Sequence, residues 1–156
     1  HDWLRDAMQW YVKADAIRPA GNDEAILRWN TSARTLTRIS PARATREGVI
    51  YFGSTSAAMD EALVALEAQG VRIDAMRVRG FPFAREVMDF IAAHQRVFVV
   101  EQNRDGQLRT LIVNEGGIDP AKLIPVLHYD GTPITARFIA GEIAMLSATG
   151  QVEAAE

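Results

Sequence analysis

The run Val97-Phe98-Val99-Val100 decides the fold of this chain. Successive side chains of a strand point to opposite faces. Four apolar residues in a row therefore bury both faces, as a central parallel strand covered by helices on each side requires. Upstream, Val87, Met88 and Ile91 mark one face of a helix, and Gly80-Phe81-Pro82 separates that helix from a strand through Val71, Ile73, Ala75, Met76 and Val78. Further back, Val49-Ile50-Tyr51-Phe52 is another apolar run closed by Gly53-Ser54. Met59, Ala62, Leu63 and Leu66 then recur at helical spacing as far as Gln69-Gly70. Downstream, a helix is predicted through Leu108, Leu111 and Ile112, and a short strand over Leu123–Leu127. A turn at Tyr129-Asp130-Gly131-Thr132-Pro133 and a last helix from Thr135 follow, with fraying expected after Gly150.

Strands alternating with helices of this length imply right-handed β-α-β crossovers and a mainly parallel sheet in a three-layer α/β/α sandwich. The pattern begins at Gly48, which predicts a helical segment and linker over residues 1–47, an α/β domain over 48–147 and a tail over 148–156. In the first segment Leu4, Met8, Tyr11, Val12 and Ile17 are spaced as on a helix that stops at Arg18-Pro19-Ala20-Gly21. Asn22 or Asp23 is placed to cap a second helix. That helix carries Ile26, Leu27, Trp29 and Ile39 with solvated Arg28, Arg34 and Arg38, and ends near Ser40-Pro41. The β-branched and small polar residues of Thr31–Thr37 weaken its later part.

Composition narrows the function. Of 156 residues, 48% are apolar and 24% charged, the balance of a folded domain rather than a disordered chain. The formal charge of -3 is small and both signs are interspersed, which argues against nucleic acid and an anionic membrane as partners. With no cysteine, the chain offers no disulfide framework, thiolate nucleophile or cysteine-ligated iron–sulfur cluster. No apolar run approaches the ~20 residues of a spanning helix, and no signal-peptide core opens the chain, so a cytoplasmic location is expected. The chain begins at His1 without a methionine and is read as a piece of a longer protein.

Ligands of open α/β sheets gather outside the carboxyl ends of the strands. That edge holds Gly53-Ser54-Thr55, Arg79-Gly80-Phe81, Glu101-Gln102-Asn103 and His128-Tyr129-Asp130. Ser54 and Thr55 open a helix and form a possible anion site, although the commonness of serine at helix starts favours simple capping by Ser54. A lone Gly53 matches neither a dinucleotide fingerprint nor a phosphate loop. Glu101 suits a general acid or base at the mouth of an apolar strand. No histidine or second carboxylate is tied to it by local spacing, which favours a structural hydrogen-bonding role. His94 at a helix end and His128 beside Tyr129 lack metal-ligand spacing and are read as structural. Trp3, Trp10 and Trp29 suit packing on the domain or on a neighbour better than base stacking.

The strings Ile73-Asp74-Ala75-Met76-Arg77-Val78-Arg79-Gly80-Phe81-Pro82-Phe83 and Val97-Phe98-Val99-Val100-Glu101-Gln102-Asn103-Arg104-Asp105-Gly106-Gln107-Leu108-Arg109 resemble the alpha subunit of 2-oxoacid:ferredoxin oxidoreductases. The "MRVRGFPF" and "EQNRDGQLR" runs are most similar to members acting on 2-oxoglutarate, and the likeness extends from about Gly48 to Glu142, including "YDGTP". The resemblance implies a domain like the C-terminal domain of transketolase, with a five-stranded, mostly parallel sheet between helices and one antiparallel strand. Four strands are read directly, and the fifth is expected within Ala42–Glu47. The family converts a 2-oxoacid and coenzyme A to acyl-CoA and CO2 and reduces ferredoxin, using thiamine diphosphate with Mg and iron–sulfur clusters. None of those cofactors is expected to be held by this segment. The implied partners are the remaining domains of the alpha subunit, the beta subunit and, for the complex, ferredoxin.

On this reading the chain is a non-catalytic assembly domain, inactive alone, with an apolar patch where its neighbours sit. Arg79, Glu101, Asn103 and Gln107 would orient a neighbouring chain or line a substrate entrance; equally, Asn103 and Gly106 shape the turn from strand to helix. The alternatives are a stand-alone small-anion-binding module at Gly53–Ser56 and the related domain of a 2-oxoacid dehydrogenase or transketolase. The "EQNRDGQL" string argues against the last.

Overall fold

A computed structural model describes residues 2–17, 19, 38–39 and 45–153. Its central strand is β4 (Arg96–Glu101), buried from Val97 to Glu101. The other long strands are β2 (Glu47–Phe52), β3 (Asp74–Val78) and β5 (Leu123–Leu127), with a short β1 (Arg38–Ile39) at one edge. The helices are α1 (Asp2–Ala16), α2 (Thr55–Ala68), α3 (Arg85–Ala93), α4 (Gln107–Gly116) and α5 (Ala136–Glu153), and a single 3-10 turn (Pro120–Lys122) leads into β5.

The sheet has five strands in the order β1-β3-β2-β4-β5. β3, β2, β4 and β5 are mutually parallel, in register Gly48 with Asp74, Gly48 with Val97 and Val97 with Leu123. β1 runs antiparallel to β3, Arg38 facing Arg77 and Ile39 facing Met76. The mixed five-stranded sheet is therefore as expected, but its fifth strand is not in Ala42–Glu47. Glu47 starts β2, and the edge strand is Arg38–Ile39, two residues read from the sequence as the end of a helix. The rest of that helix, from Asn22 to Thr37 and Ser40-Pro41, lies outside the described residues, as do 41–44.

Alternation along the strands sorts the core into two layers. Val49, Tyr51, Phe98, Val100 and Val126 face α2 and α5, packing on Met59, Ala62, Leu66, Ile139 and Ile143. Ile50, Met76, Val97, Val99 and Leu123 face α3 and α4, packing on Val87, Phe90, Ile91 and Ile112. A buried aliphatic or aromatic side chain contributes about 1.5–3 kcal/mol, so two filled faces make this sheet the centre of stability. Gly48 lets α3 approach: a Cβ there would stand 2.7 Å from Phe90 Cε1 and 3.1 Å from His94 Cγ.

Local signals explain the element ends. Val71, predicted in a strand, instead donates its amide to Leu66 O at 2.9 Å and closes α2, so β3 starts only at Asp74. Thr135 starts α5 by accepting the Phe138 amide on its hydroxyl at 3.2 Å. That helix runs to Glu153, and residues 154–156 of the expected tail lie outside the described residues. Below the sheet, Asp74 Oδ2 accepts from the Thr45 amide at 3.1 Å and lies 3.0 Å from His94 Nε2, while His94 Nδ1 lies 2.7 Å from Phe90 O. His94 thus ties α3 to β3, a structural role. Glu47 pairs with Arg96 and accepts from the Ser147 hydroxyl at 2.6 Å, joining β2, β4 and α5.

Candidate functional site

The direction of winding reverses at β2. The chain steps from β2 outward to β3, then returns across β2 to β4 and on to β5. In such sheets the crevice between the strands flanking the reversal is the usual ligand site. Here the side chain of Gln102, after β4, spans that crevice. Its Nε2 donates to Ser54 Oγ and to Thr55 Oγ1, both at 3.1 Å. Ser54 makes no side-chain cap to α2, contrary to the capping role expected of it, because its hydroxyl is turned to Gln102. Both hydroxyls of the possible anion site are hydrogen-bond acceptors from one neutral amide.

Glu101 is fully buried and is the anchor of the next turn. Its Oε2 accepts from the Leu108 amide at 2.7 Å and from Asn103 Nδ2 at 2.9 Å, and its Oε1 accepts from the Arg109 amide at 3.0 Å. Asn103 Oδ1 in turn accepts the Gln107 amide at 3.2 Å. Two side chains from the end of β4 thus satisfy the first amides of α4, which have no partner within the helix. A carboxylate at a helix N-terminus also meets the positive end of its dipole. Gly106 makes the turn possible with φ of 59°, the left-handed region. Glu101 and Asn103 therefore build the strand-to-helix turn, and nothing in the described residues pairs Glu101 with a second carboxylate or histidine.

Arg79 and Gln107 do come together, on the walls of a cleft of about 630 Å³ that the sequence did not reveal. Phe52 and Gly53 of the β2 end and Arg77, Val78 and Arg79 of the β3 end form one side. Gly80, Phe81 and Phe83 of the following loop form the second, where the Phe81–Pro82 peptide is cis and the Phe81 and Phe83 rings meet edge to face at 5.4 Å. Gln107, Leu108 and Leu111 of α4 complete it. At its mouth Phe52, Phe81 and Leu111 are 40%, 53% and 42% exposed, an apolar concentration unusual at a polar sheet edge. Arg77 Nη2 donates to Gly53 O at 3.3 Å, whereas its Nε is buried without a partner among the described residues. Arg77 was quoted in the sequence only as part of a string; its position in a strand gave no sign that it stands beside Gly53.

The last strand end differs. His128 is buried edge-on to Phe138 with ring centroids 4.8 Å apart, and its Nε2 lies 3.5 Å from Asp130 Oδ1. Asp130 Oδ1 accepts from the Thr132 hydroxyl at 2.7 Å and the Thr132 amide at 2.8 Å. Those two bonds hold the Asp130 carboxyl below the usual carboxylate range. This is a turn, not a reactive pair. Among the described residues no group of three or more His, Asp or Glu side chains is placed to hold a metal ion. No helix among them is long and apolar enough to cross a membrane.

No family model matches the chain. It is 33% identical over 105 residues to the alpha subunit of 2-oxoacid:ferredoxin oxidoreductase 2 of Aeropyrum pernix, a match covering 66% of this chain and 16% of that protein. Among solved structures it is similar to the 2-oxoglutarate:ferredoxin oxidoreductase from Magnetococcus marinus, determined with 2-oxoglutarate, coenzyme A and succinyl-CoA bound. That match has a TM-score of 0.64 and 26% identity, and covers 79% of this chain and 22% of the other. A split-gene transketolase, an inactive tetramer, shares the fold at a TM-score of 0.58 and 18% identity, over 72% of this chain and 41% of that one. The resemblance read from the "MRVRGFPF" and "EQNRDGQLR" strings and the transketolase-like α/β fold are both borne out. The chain spans less than a quarter of the length of the oxidoreductase chains that it matches.

Proposed function

We propose that this chain is the transketolase C-terminal-like assembly domain, residues 48–147 with the helical segment before it, of the alpha subunit of a 2-oxoacid:ferredoxin oxidoreductase. The parent enzyme converts 2-oxoglutarate and coenzyme A to succinyl-CoA and CO2 with reduction of ferredoxin, in the cytoplasm. The observation that carries this reading is the 33% identity over 105 residues to an alpha subunit, supported by the shared fold of the 2-oxoglutarate enzyme. Among the described residues no group of three or more His, Asp or Glu side chains is placed to hold the Mg of thiamine diphosphate, and the chain has no cysteine to hold an iron–sulfur cluster. Those groups and the chemistry that they supply belong to the neighbouring domains and the beta subunit, and no catalytic step is assigned to this chain.

Its contribution is mechanical. Glu101 and Asn103 fix the start of α4 and so set where Gln107 stands; Arg79 and Gln107 are exposed and face outward at the same edge. Exposed polar side chains at this edge form the rim of an interface with another domain, the apolar cleft beside them staying open. Reconstitution tests the reading. Alpha subunit lacking these residues should neither retain the beta subunit nor reduce ferredoxin with 2-oxoglutarate, and adding the chain in trans should restore both. A truncated subunit that assembles and turns over normally sinks the proposal, and activity restored only with a different 2-oxoacid removes the substrate assignment alone.

A further inference from the structure

We infer that the cleft between the ends of β2 and β3 and the first turns of α4 is a binding site for a small aromatic carboxylate. Its volume of about 630 Å³ falls within the ~300–1,000 Å³ of small-molecule sites, and like them it is largely apolar with a few polar groups. Phe52, Phe81 and Phe83 supply ring faces and edges for an aryl group, and Leu111 closes the opposite wall. The polar side chains of the lining are two cations, Arg77 and Arg79, and the neutral amide of Gln107, and no acidic residue lines the cleft. Arg77 is fixed at one nitrogen by Gly53 O, yet keeps a buried Nε without a partner among the described residues. Arg79 is exposed and makes no hydrogen bond or ion pair among them. One guanidinium without a partner among the described residues and a second held there through a single nitrogen, both beside an apolar wall, call for an anion with an apolar body.

The anion is a carboxylate rather than a phosphate. Phosphate sites at helix starts depend on free backbone amides. Here the amides of Gln107, Leu108 and Arg109 are already taken by Asn103 and Glu101. What remains is two guanidinium forks and the Gln107 side-chain amide; a fork accepts a carboxylate or a phosphate alike, so the choice of carboxylate rests on the occupied amides. This inference goes beyond the assembly role, since it concerns what fills the cleft and not which subunits surround the domain.

The test is titration of the isotope-labelled chain with phenylacetate, phenylacetamide and inorganic phosphate, read by amide chemical shifts. Phenylacetate should give saturable shifts centred on Phe52, Phe81 and Leu111, and bind about tenfold more tightly than the neutral amide, as one charge-assisted contact implies. Arg79→Gln, at an exposed and unpaired position, should weaken phenylacetate by a similar factor without moving the unfolding midpoint, and Arg79→Lys should restore part of the affinity. Equal binding of phenylacetamide, shifts centred elsewhere, or displacement by millimolar phosphate overturns the inference. So does the absence of saturation with those amides protected only in the presence of the beta subunit, which would make a protein segment the occupant.

Discussion

Replacing Glu101 by glutamine isolates the interaction that holds the carboxyl edge together. The carboxylate presents two acceptor oxygens to three donors: Leu108 N and Asn103 Nδ2 on Oε2, Arg109 N on Oε1. Glutamine keeps the shape but has one oxygen and one amino group, so in either orientation an N–H faces at least one backbone N–H. Hydrogen bonds to a charged acceptor contribute about 1.5–3 kcal/mol against roughly 0.5–1.5 for neutral ones, and a buried donor left unpaired costs about 1–3 kcal/mol. The loss of charge at a helix N-terminus adds about 0.3–1 kcal/mol. Relief of the carboxylate's own desolvation works in the opposite direction, but with three donors in good geometry the losses win. The expected destabilisation is about 2–4 kcal/mol, a large share of the ~5–15 kcal/mol of a typical domain. Urea unfolding measures it as a lower midpoint at unchanged slope, and hydrogen exchange localises it as lost protection at Leu108 and Arg109. A shift below about 0.5 kcal/mol, the range of indifferent surface changes, with both amides still protected would refute this account of the turn.

Three further outcomes are expected. Gly48→Ala drives a Cβ to within 2.7 Å of Phe90 and should cost about 1–3 kcal/mol by overpacking, most of it recovered in the double variant with Phe90→Leu, measured as a denaturation cycle. Gly106→Ala meets nothing closer than Glu101 Oε1 at 3.8 Å, so its cost of about 1–2 kcal/mol is that of φ 59° alone, and Gly106→Asn should cost less; equal losses for the two would point to a clash instead. Asp130 is held below its unfolded-state value by Thr132, so it contributes stability above that value and loses it as pH falls through the lower folded value. Asp130→Asn should therefore flatten the decline in unfolding midpoint below about pH 4, and an unchanged acid profile would show that the turn contributes nothing.

The layers were legible in the residue pattern. Val97–Val100 announced a strand buried on both faces, and Met59, Ala62 and Leu66 at helical spacing announced the helix covering one of them, because burial in strands and helices imposes periods of two and about 3.6 on the residues themselves. The same local strings carried the likeness to the oxidoreductase alpha subunit, and the structural role read for Glu101 and His94 agrees with their hydrogen bonds. Contacts between distant segments set the rest. Arg38–Ile39 is a strand only because β3 offers its edge, and two residues are too few to show a period. Ser54 turned away from α2 because the strand order brings Gln102, 48 residues later, within 3.1 Å of it. The cleft gathers Phe52 and Arg77 from two strands, Phe81 from a loop and Leu111 from a helix, and no spacing along the chain encodes their meeting. Periodicity reports which side of an element faces inward; which elements become neighbours is set by strand pairing and crossover direction, interactions that close only when the whole sheet forms.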